Sequence, residues 1–278
     1  VTSSVRRLIV NADDFGIHPA RNRGVAEAVR AGVVTSVSMI ANLEGFDDAV
    51  ALLATLPPVD VGLHLNLSEG RPLGTACVTL VGEDGLFLGK LEARRRAAEG
   101  LLAATEVEEE VSAQVARLRA AGVAPTHVDG HQHVHAFGPV AEAVARAARR
   151  LGVRWTRVPS EPEELSSGLP PERRAQIDDY RRHSEGARAG LVAAGLRIAD
   201  HFRGLALSGR MTPEGLAALV RTLPEGVTEL MVHPGRCCEG AAFDGADREA
   251  ELSALLSPEF RGALAEGGVE LVRRGQVA

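Results

Sequence analysis

Short apolar runs alternate with amphipathic stretches along most of this chain. The pattern predicts strands over 6–11, 35–41, 59–66, 125–129, 153–158, 199–203 and 227–232, with a last short one over 268–272. It predicts helices over 20–31, 46–55, 105–121, 139–151, 186–197 and 213–222, and around 246–266. In the stretch 105–121, Val107, Val111, Val115 and Leu118 fall on one face at helical spacing. Two stretches depart from both periods. Residues 68–90 are Gly-rich, and Gly82-Glu83-Asp84-Gly85 marks a turn in an excursion between elements. Residues 160–185 are polar, Pro-rich and weakly periodic, and read as a long loop with room for a short helix.

Strands alternating with helices imply parallel pairing and right-handed crossovers. Seven or eight such units predict an α/β fold, a TIM-like (β/α) barrel in closed, distorted or incomplete form. No internal repeat or low-complexity linker interrupts the chain, so residues 1–278 read as a single domain. In such barrels the site lies at the C-terminal ends of the strands. Asp13, Asp14, His64, Asp129, His131 and His233 all fall at or just after those ends, from four different strands.

Composition narrows the classes. With 278 residues, 45% of them hydrophobic, the chain can bury a sizeable core. The net charge of −6 is spread along the chain, and no basic block marks a nucleic-acid face. Lys90 is the single lysine among the 31 basic residues, a skew explained by a GC-rich genome. Cys77, Cys237 and Cys238 form no CxxC pair, so no disulfide framework is expected and a cytoplasmic location is. No signal-peptide region and no apolar run of about 18 residues stand out, so no membrane span is expected.

The candidate chemistry sits at the strand ends. Asn11-Ala12-Asp13-Asp14-Phe15-Gly16 closes the first strand. Neighbours in an extended chain point apart, so one carboxylate can bind a metal while the other faces substrate or a cation. A solvated turn with a helix-capping Asp is the plainer alternative. In Val61-Gly62-Leu63-His64-Leu65-Asn66-Leu67, His64 and Asn66 share a face, as ligand and neighbour or as satisfied core groups. His127, Asp129, His131, His133 and His135 occupy every second position. Fully extended, that run would span roughly 26 Å, too far for one ion to collect. Only one or two of the five can therefore be ligands, and Gly130 is placed to bend the chain. His233, before Pro234-Gly235, is a candidate general acid or base, or a turn residue. Arg157 ends another strand and could orient a carboxylate, bind substrate or form an ordinary buried ion pair.

At these residues the chain resembles the YdjC/ChbG family of carbohydrate deacetylases. The resemblance runs through Leu8-Ile9-Val10-Asn11-Ala12-Asp13-Asp14-Phe15-Gly16, Asn22-x-Gly24, Gly32-Val33-Val34-Thr35-Ser36 and Gly62-Leu63-His64-Leu65. It continues in Pro125-Thr126-His127-Val128-Asp129-Gly130-His131-Gln132-His133-Val134-His135, Arg157-Val158-Pro159 and His233-Pro234-Gly235. The resemblance implies a barrel related in architecture to polysaccharide deacetylases, removing acetyl groups from N-acetylated sugars such as chitooligosaccharides. It implies metal ligands Asp14, His64 and His131, with Asp13 as base and His233 as acid. Asn66, Asp129, His133 and Arg157 would orient ligands or contact substrate. Magnesium is the metal implied by the family, while two imidazoles and one carboxylate suit zinc better. A branch acting on hopanoid-linked sugars makes that substrate class a further reading. His18 departs from the small polar residue expected before the first helix, and Cys237-Cys238 beside His233 is unusual.

The partner expected is an acetylated sugar or oligosaccharide, with no nucleic acid and no membrane span; a homodimer is compatible. Two rivals are a metal-dependent phosphoesterase, which would call for two metals and more ligands, and a carbohydrate-binding relative without catalysis. Binding alone needs no base, so retention of both Asp13 and Asp14 argues against the second.

Overall fold

The computed structural model describes residues 5–237 and 245–277. Its strands are β1 (Arg6–Phe15), β2 (Ser36–Met39), β3 (Asp60–Leu65), β4 (His127–Gly130), β5 (Trp155–Thr156), β6 (His201–Arg203), β7 (Gly226–Val232) and β8 (Val269–Leu271). They order as β5-β4-β3-β2-β1-β7-β6, with β8 beside β1. The fold is therefore α/β with a parallel sheet in the incomplete form of the expected barrel. No helix among the described residues is long and apolar enough to cross a membrane.

The chain packs as two compact units. The first comprises residues 1–37, 44–60 and 199–278. In it β1 pairs in parallel with β7, in the register Arg6↔Gly226 to Ala12↔Val232, and with β8. β6 flanks β7 on its other side, also in parallel. Leu8, Ile9, Val10 and Ala12 are fully buried. That is why β1 reads as a continuous apolar run: a parallel strand covered on both faces has no solvent side to alternate with. Helices α1 (Pro19–Arg30), α2 (Phe46–Leu53) and α7 (Pro213–Arg221) belong to this unit. The helical stretch at 246–266 is two helices, α8 (Ala246–Leu256) and α9 (Pro258–Glu266), parted at Ser257. Ser257 caps α9 by accepting from the Phe260 N–H at 3.2 Å, with Pro258 at the first helical position. His18 caps α1 in the same way, Nδ1 accepting from the Ala20 N–H at 3.2 Å. An imidazole nitrogen thus does the work of the usual small polar side chain.

The second unit comprises residues 38–43 and 61–198. β4 pairs in parallel with β3 on one side and β5 on the other. Helices α3 (Lys90–Ala98), α4 (Ala104–Ala120), α5 (Gly138–Arg150) and α6 (Pro171–Ala193) pack in it. α4 buries Val107, Val111, Val115 and Leu118, the face the spacing predicts. The loop predicted over 160–185 is instead a short 3-10 turn at Glu163–Ser166 and most of α6. α6 runs on to Ala193, so the helix predicted over 186–197 is its C-terminal part. α6 buries only Ile177, Tyr180, Ser184 and Leu191, a stripe too thin to dominate the pattern. Pairs one turn apart add local support: Asp178–Arg181 at 2.8 Å, Asp179–Arg182 at 2.6 Å and Glu185–Arg188 at 2.7 Å.

Candidate active site

In the first unit, parallel register decides which side chains meet. Ala12 lies opposite Val232, so the next residues of the two strands, Asp13 and His233, emerge side by side. His233 Nε2 stands 3.9 Å from Asp13 Oδ2. Asp13 is 1% exposed, and its Oδ1 accepts from Asn11 Nδ2 at 2.8 Å. Asp14 departs from the simple alternation of a strand. Its φ of 64° is left-handed, and its Oδ2 accepts from Nη1 of the fully buried Arg21 on α1 at 3.0 Å. Asn22 fixes the same turn, accepting from the Gly16 N–H at 2.7 Å and donating to the Gly45 carbonyl at 2.8 Å.

Behind His233 lies Glu251 of α8, fully buried. Its Oε2 accepts from the His233 backbone N–H at 2.6 Å and stands 3.6 Å from Nδ1. Its Oε1 accepts from the Gly209 N–H at 3.0 Å and from Arg248 at 3.1 Å. Burial works to raise this carboxyl, but the hydrogen bond from His233 and the charges of His233 and Arg248 outweigh it, and the pKa falls to about 2. The turn after His233 is held against α1. A Cβ on Gly24 would lie 2.4 Å from the Cα of Gly235, so the two backbones touch where no side chain fits. That contact joins the Asn22-x-Gly24 and His233-Pro234-Gly235 segments.

In the second unit, register again sets the partners. His64 on β3 lies opposite Asp129 on β4, and Val128 opposite Thr156 brings Arg157 beside Asp129. His64 Nδ1 is 2.8 Å from Asp129 Oδ1. An ionised carboxylate only accepts, so Nδ1 carries the proton and the ring's lone pair is on Nε2. Asp129 Oδ2 accepts from Ser38 Oγ at 2.7 Å and pairs with Arg157 Nη2 at 2.8 Å. Burial opposes this charge, yet the Arg157 guanidinium and then His64 hold the carboxyl well below its usual range. Ser38 spends its one proton on Asp129 and so accepts from His127 Nε2, 3.0 Å away. His127 lies flat against Gly62, where any Cβ would come within 2.3 Å of the ring.

The histidine run is not extended. β4 ends at Gly130, and His131–Ala136 form a tight turn in which Gln132 and His133 have φ of 54° and 61°. The turn scatters the imidazoles that strict alternation would align. His131 sits edge-on to His64, ring centres 5.5 Å apart, with Nε2 3.4 Å from Glu69 Oε1. His133 meets the Tyr180 ring at 4.7 Å. His135 Nε2 donates to the Arg157 carbonyl at 3.1 Å. Burial drives the His135 pKa down to about 4, with the Arg157 charge acting in the same direction. Asn66 shapes its own turn: Oδ1 accepts from the Ser68 and Glu69 N–H groups at 3.0 Å each, and Nδ2 donates to the Glu69 carbonyl at 2.8 Å.

Asp13 and Asp14 in the first unit, and His64, Asp129 and His131 in the second, are buried side chains of the kinds that hold a metal ion. Glu251, Arg21, Ser38 and Glu69 escaped the sequence reading. Two of them left a signal there. Arg21 is in step with Val25 and Val29 on the buried side of α1, and Glu251 is one turn before the buried Leu255 on α8. A charged residue in line with an apolar stripe needs a buried partner.

The YdjC-like protein family matches residues 7–266, nearly the whole chain. The chain belongs to the YdjC-like family. A carbohydrate deacetylase of Mus musculus is 41% identical, covering 95% of this chain and 93% of its own. A chitooligosaccharide deacetylase of Serratia marcescens is 35% identical, covering 94% and 95%. A crystal structure from Enterococcus faecalis V583, described in terms of cellobiose-phosphate cleavage, superposes with a TM-score of 0.76. At 24% identity, over 97% of this chain and 98% of that one, it shows that the fold is shared. Cys237 is exposed, and Cys238 lies outside the described residues.

Proposed function

We propose that this protein is a metal-dependent hydrolase, a single YdjC-like catalytic domain that removes acetyl groups from N-acetylated carbohydrates. The observation that carries the reading is the Asp13–His233 pair at 3.9 Å with Glu251 behind it. An amide needs a base for the attacking water and an acid for the departing amine, and this pair offers both. Its relatives named as carbohydrate and chitooligosaccharide deacetylases support the substrate class.

Asp14, His64 and His131 are the residues that would hold the metal, and their chemistry fits one. The Asp129–His64 bond leaves the Nε2 lone pair as the donor, the usual arrangement behind a metal-bound imidazole. Two imidazoles and one carboxylate favour zinc or another transition metal over magnesium, which prefers oxygen. When bound, such an ion acidifies water and stabilises negative charge on the acetyl oxygen.

The chain's own residues do the proton work. Asp13 takes the proton of the water as it attacks the acetyl carbon, with Asn11 holding the other carboxylate oxygen. His233, backed by Glu251, gives a proton to the sugar nitrogen as the C–N bond breaks, and acetate and the free amine leave. Arg21 holds the Asp14 carboxylate, and Arg157 and Ser38 hold Asp129.

Phosphoester hydrolysis is less well supported. It would normally ask for two ions and more ligands than Asp14, His64 and His131 supply. The test is acetate release from a panel of N-acetylated mono- and oligosaccharides by protein loaded with zinc, magnesium, manganese or cobalt. Release with at least one metal supports the proposal. Phosphate release from sugar phosphates without any acetate release would replace it.

A further inference from the structure

Arg274 lies beyond the end of the family match, in a 3-10 turn (Arg274–Gln276) near the end of the chain, yet its side chain is 2% exposed. Nη2 pairs with Glu229 Oε1 on β7 at 2.9 Å. Nη1 donates to Asn11 Oδ1 at 3.0 Å and also to Ser36 Oγ. Ser36 in turn donates to Asn11 Oδ1 at 2.6 Å. Asn11 Nδ2 donates to Asp13 Oδ1 at 2.8 Å.

These bonds leave the Asn11 amide one orientation. Its oxygen has two lone pairs, and Arg274 and Ser36 occupy both. Rotating the amide by half a turn would break both bonds, point N–H groups at the guanidinium and bring oxygen against the Asp13 carboxylate. Every member of this set is buried, so no water compensates the loss. With Oδ1 of Asp13 held by Asn11, Oδ2 is the oxygen turned to His233. A buried Arg–Glu pair is a weak source of stability, and apolar residues of similar volume often serve as well or better. Its use here is orientation.

We propose that Arg274 is a positioning residue for Asp13, acting through Asn11: it locks the amide so that one carboxylate oxygen is fixed and the other is presented to the reaction. This rests on the reading of Asp13 as the base.

The test pairs structure with kinetics in the metal-loaded protein. Arg274→Met with Glu229→Met removes the ion pair without stranding a buried charge. Arg274→Lys keeps a charge for Glu229 but has no fork to serve Asn11 and Ser36. Both variants should lower kcat by about 10–100-fold with KM and metal content unchanged. The Asn11 side-chain NH₂ protons, slow to exchange by NMR in the wild type, should exchange faster in both. In an Asp13→Asn background the same changes should cost no further rate, because Arg274 has no carboxylate left to position. Unchanged Asn11 exchange, full kcat in the double Met variant, or a loss that adds undiminished to that of Asp13→Asn would each overturn the proposal. Failure of the base assignment would look different: Asp13→Asn alone would keep its turnover while Asn11 exchange still answered to Arg274.

Discussion

The His233 backbone N–H donates to Glu251 Oε2 at 2.6 Å, and the same oxygen stands 3.6 Å from Nδ1 of the His233 ring. One carboxylate therefore fixes both the position of the imidazole and its electrostatic surroundings. Glu251 is itself held by Gly209 and Arg248, so it is not free to swing away.

Replacing Glu251 with Gln should therefore weaken amide hydrolysis by about 10–100-fold. His233→Ala should do more, and its effect should depend on the leaving group. A sugar amine must be protonated to depart, whereas an aryl oxide leaves unaided. Activity on an N-acetyl sugar should collapse while activity on an aryl acetate is largely kept. Comparing kcat/KM on the two substrates decides it, and equal losses would assign His233 another role.

The metal prediction separates ligands from the groups that orient them. Asp14→Ala, His64→Ala and His131→Ala should each abolish stoichiometric metal binding, measured by elemental analysis after gel filtration. Asp129→Asn should retain a weaker site. His64 Nδ1 would lose its carboxylate acceptor, and affinity should fall by about 10–100-fold in a competition titration with a chelator. Full metal retention in all three Ala variants would remove the proposed ligand set.

Much of this arrangement was legible in the sequence, because parallel strands buried on both faces leave an unmistakable apolar run. Leu8-Ile9-Val10 before Asp13 and Leu230-Met231-Val232 before His233 fixed the strand ends, and register then joined those two side chains. Two kinds of feature were not legible. Local backbone turns were one: the left-handed φ of Asp14, Gln132 and His133 redirects side chains that period-two counting treats as aligned. Support from distant segments was the other. Glu251 and Arg274 reach His233 and Asn11 from 18 and 263 residues away in sequence, and no spacing rule connects them. The N-terminal part of α6 was missed because its helical stripe is narrow and its ion pairs look like a solvated loop.

Asp13→Asn should preserve the metal, since Asp13 is outside the proposed ligand trio. It should still cost about 10²–10⁴ in rate, the usual value of a positioned proton acceptor. The Asn11 bond to the first oxygen survives if the new amide presents its oxygen there, so folding should be little affected. Metal analysis and acetate release on one sample give both readings. Near-normal turnover would contradict the role of base.

His135 sets a pH dependence of stability. Burial first, with help from the Arg157 charge, lowers its pKa from 6.5 to about 4 in the folded protein. Between those values the unfolded chain binds the proton and the folded one does not. Stability contributed by the neutral ring is therefore complete above about pH 6.5 and is lost as pH falls towards 4, by about 3 kcal/mol in all. Glu251 adds a second, lower window. Its carboxyl is held at about 2 against an ordinary 4.5, so its contribution is present above 4.5 and is lost as pH falls through 2. Urea unfolding across both windows should show stability falling in two stages on acidification. His135→Gln keeps an N–H for the Arg157 carbonyl but has nothing to titrate, so only the upper stage should flatten. If the slope between pH 6.5 and 4 is the same in that variant, the proton uptake belongs to another group.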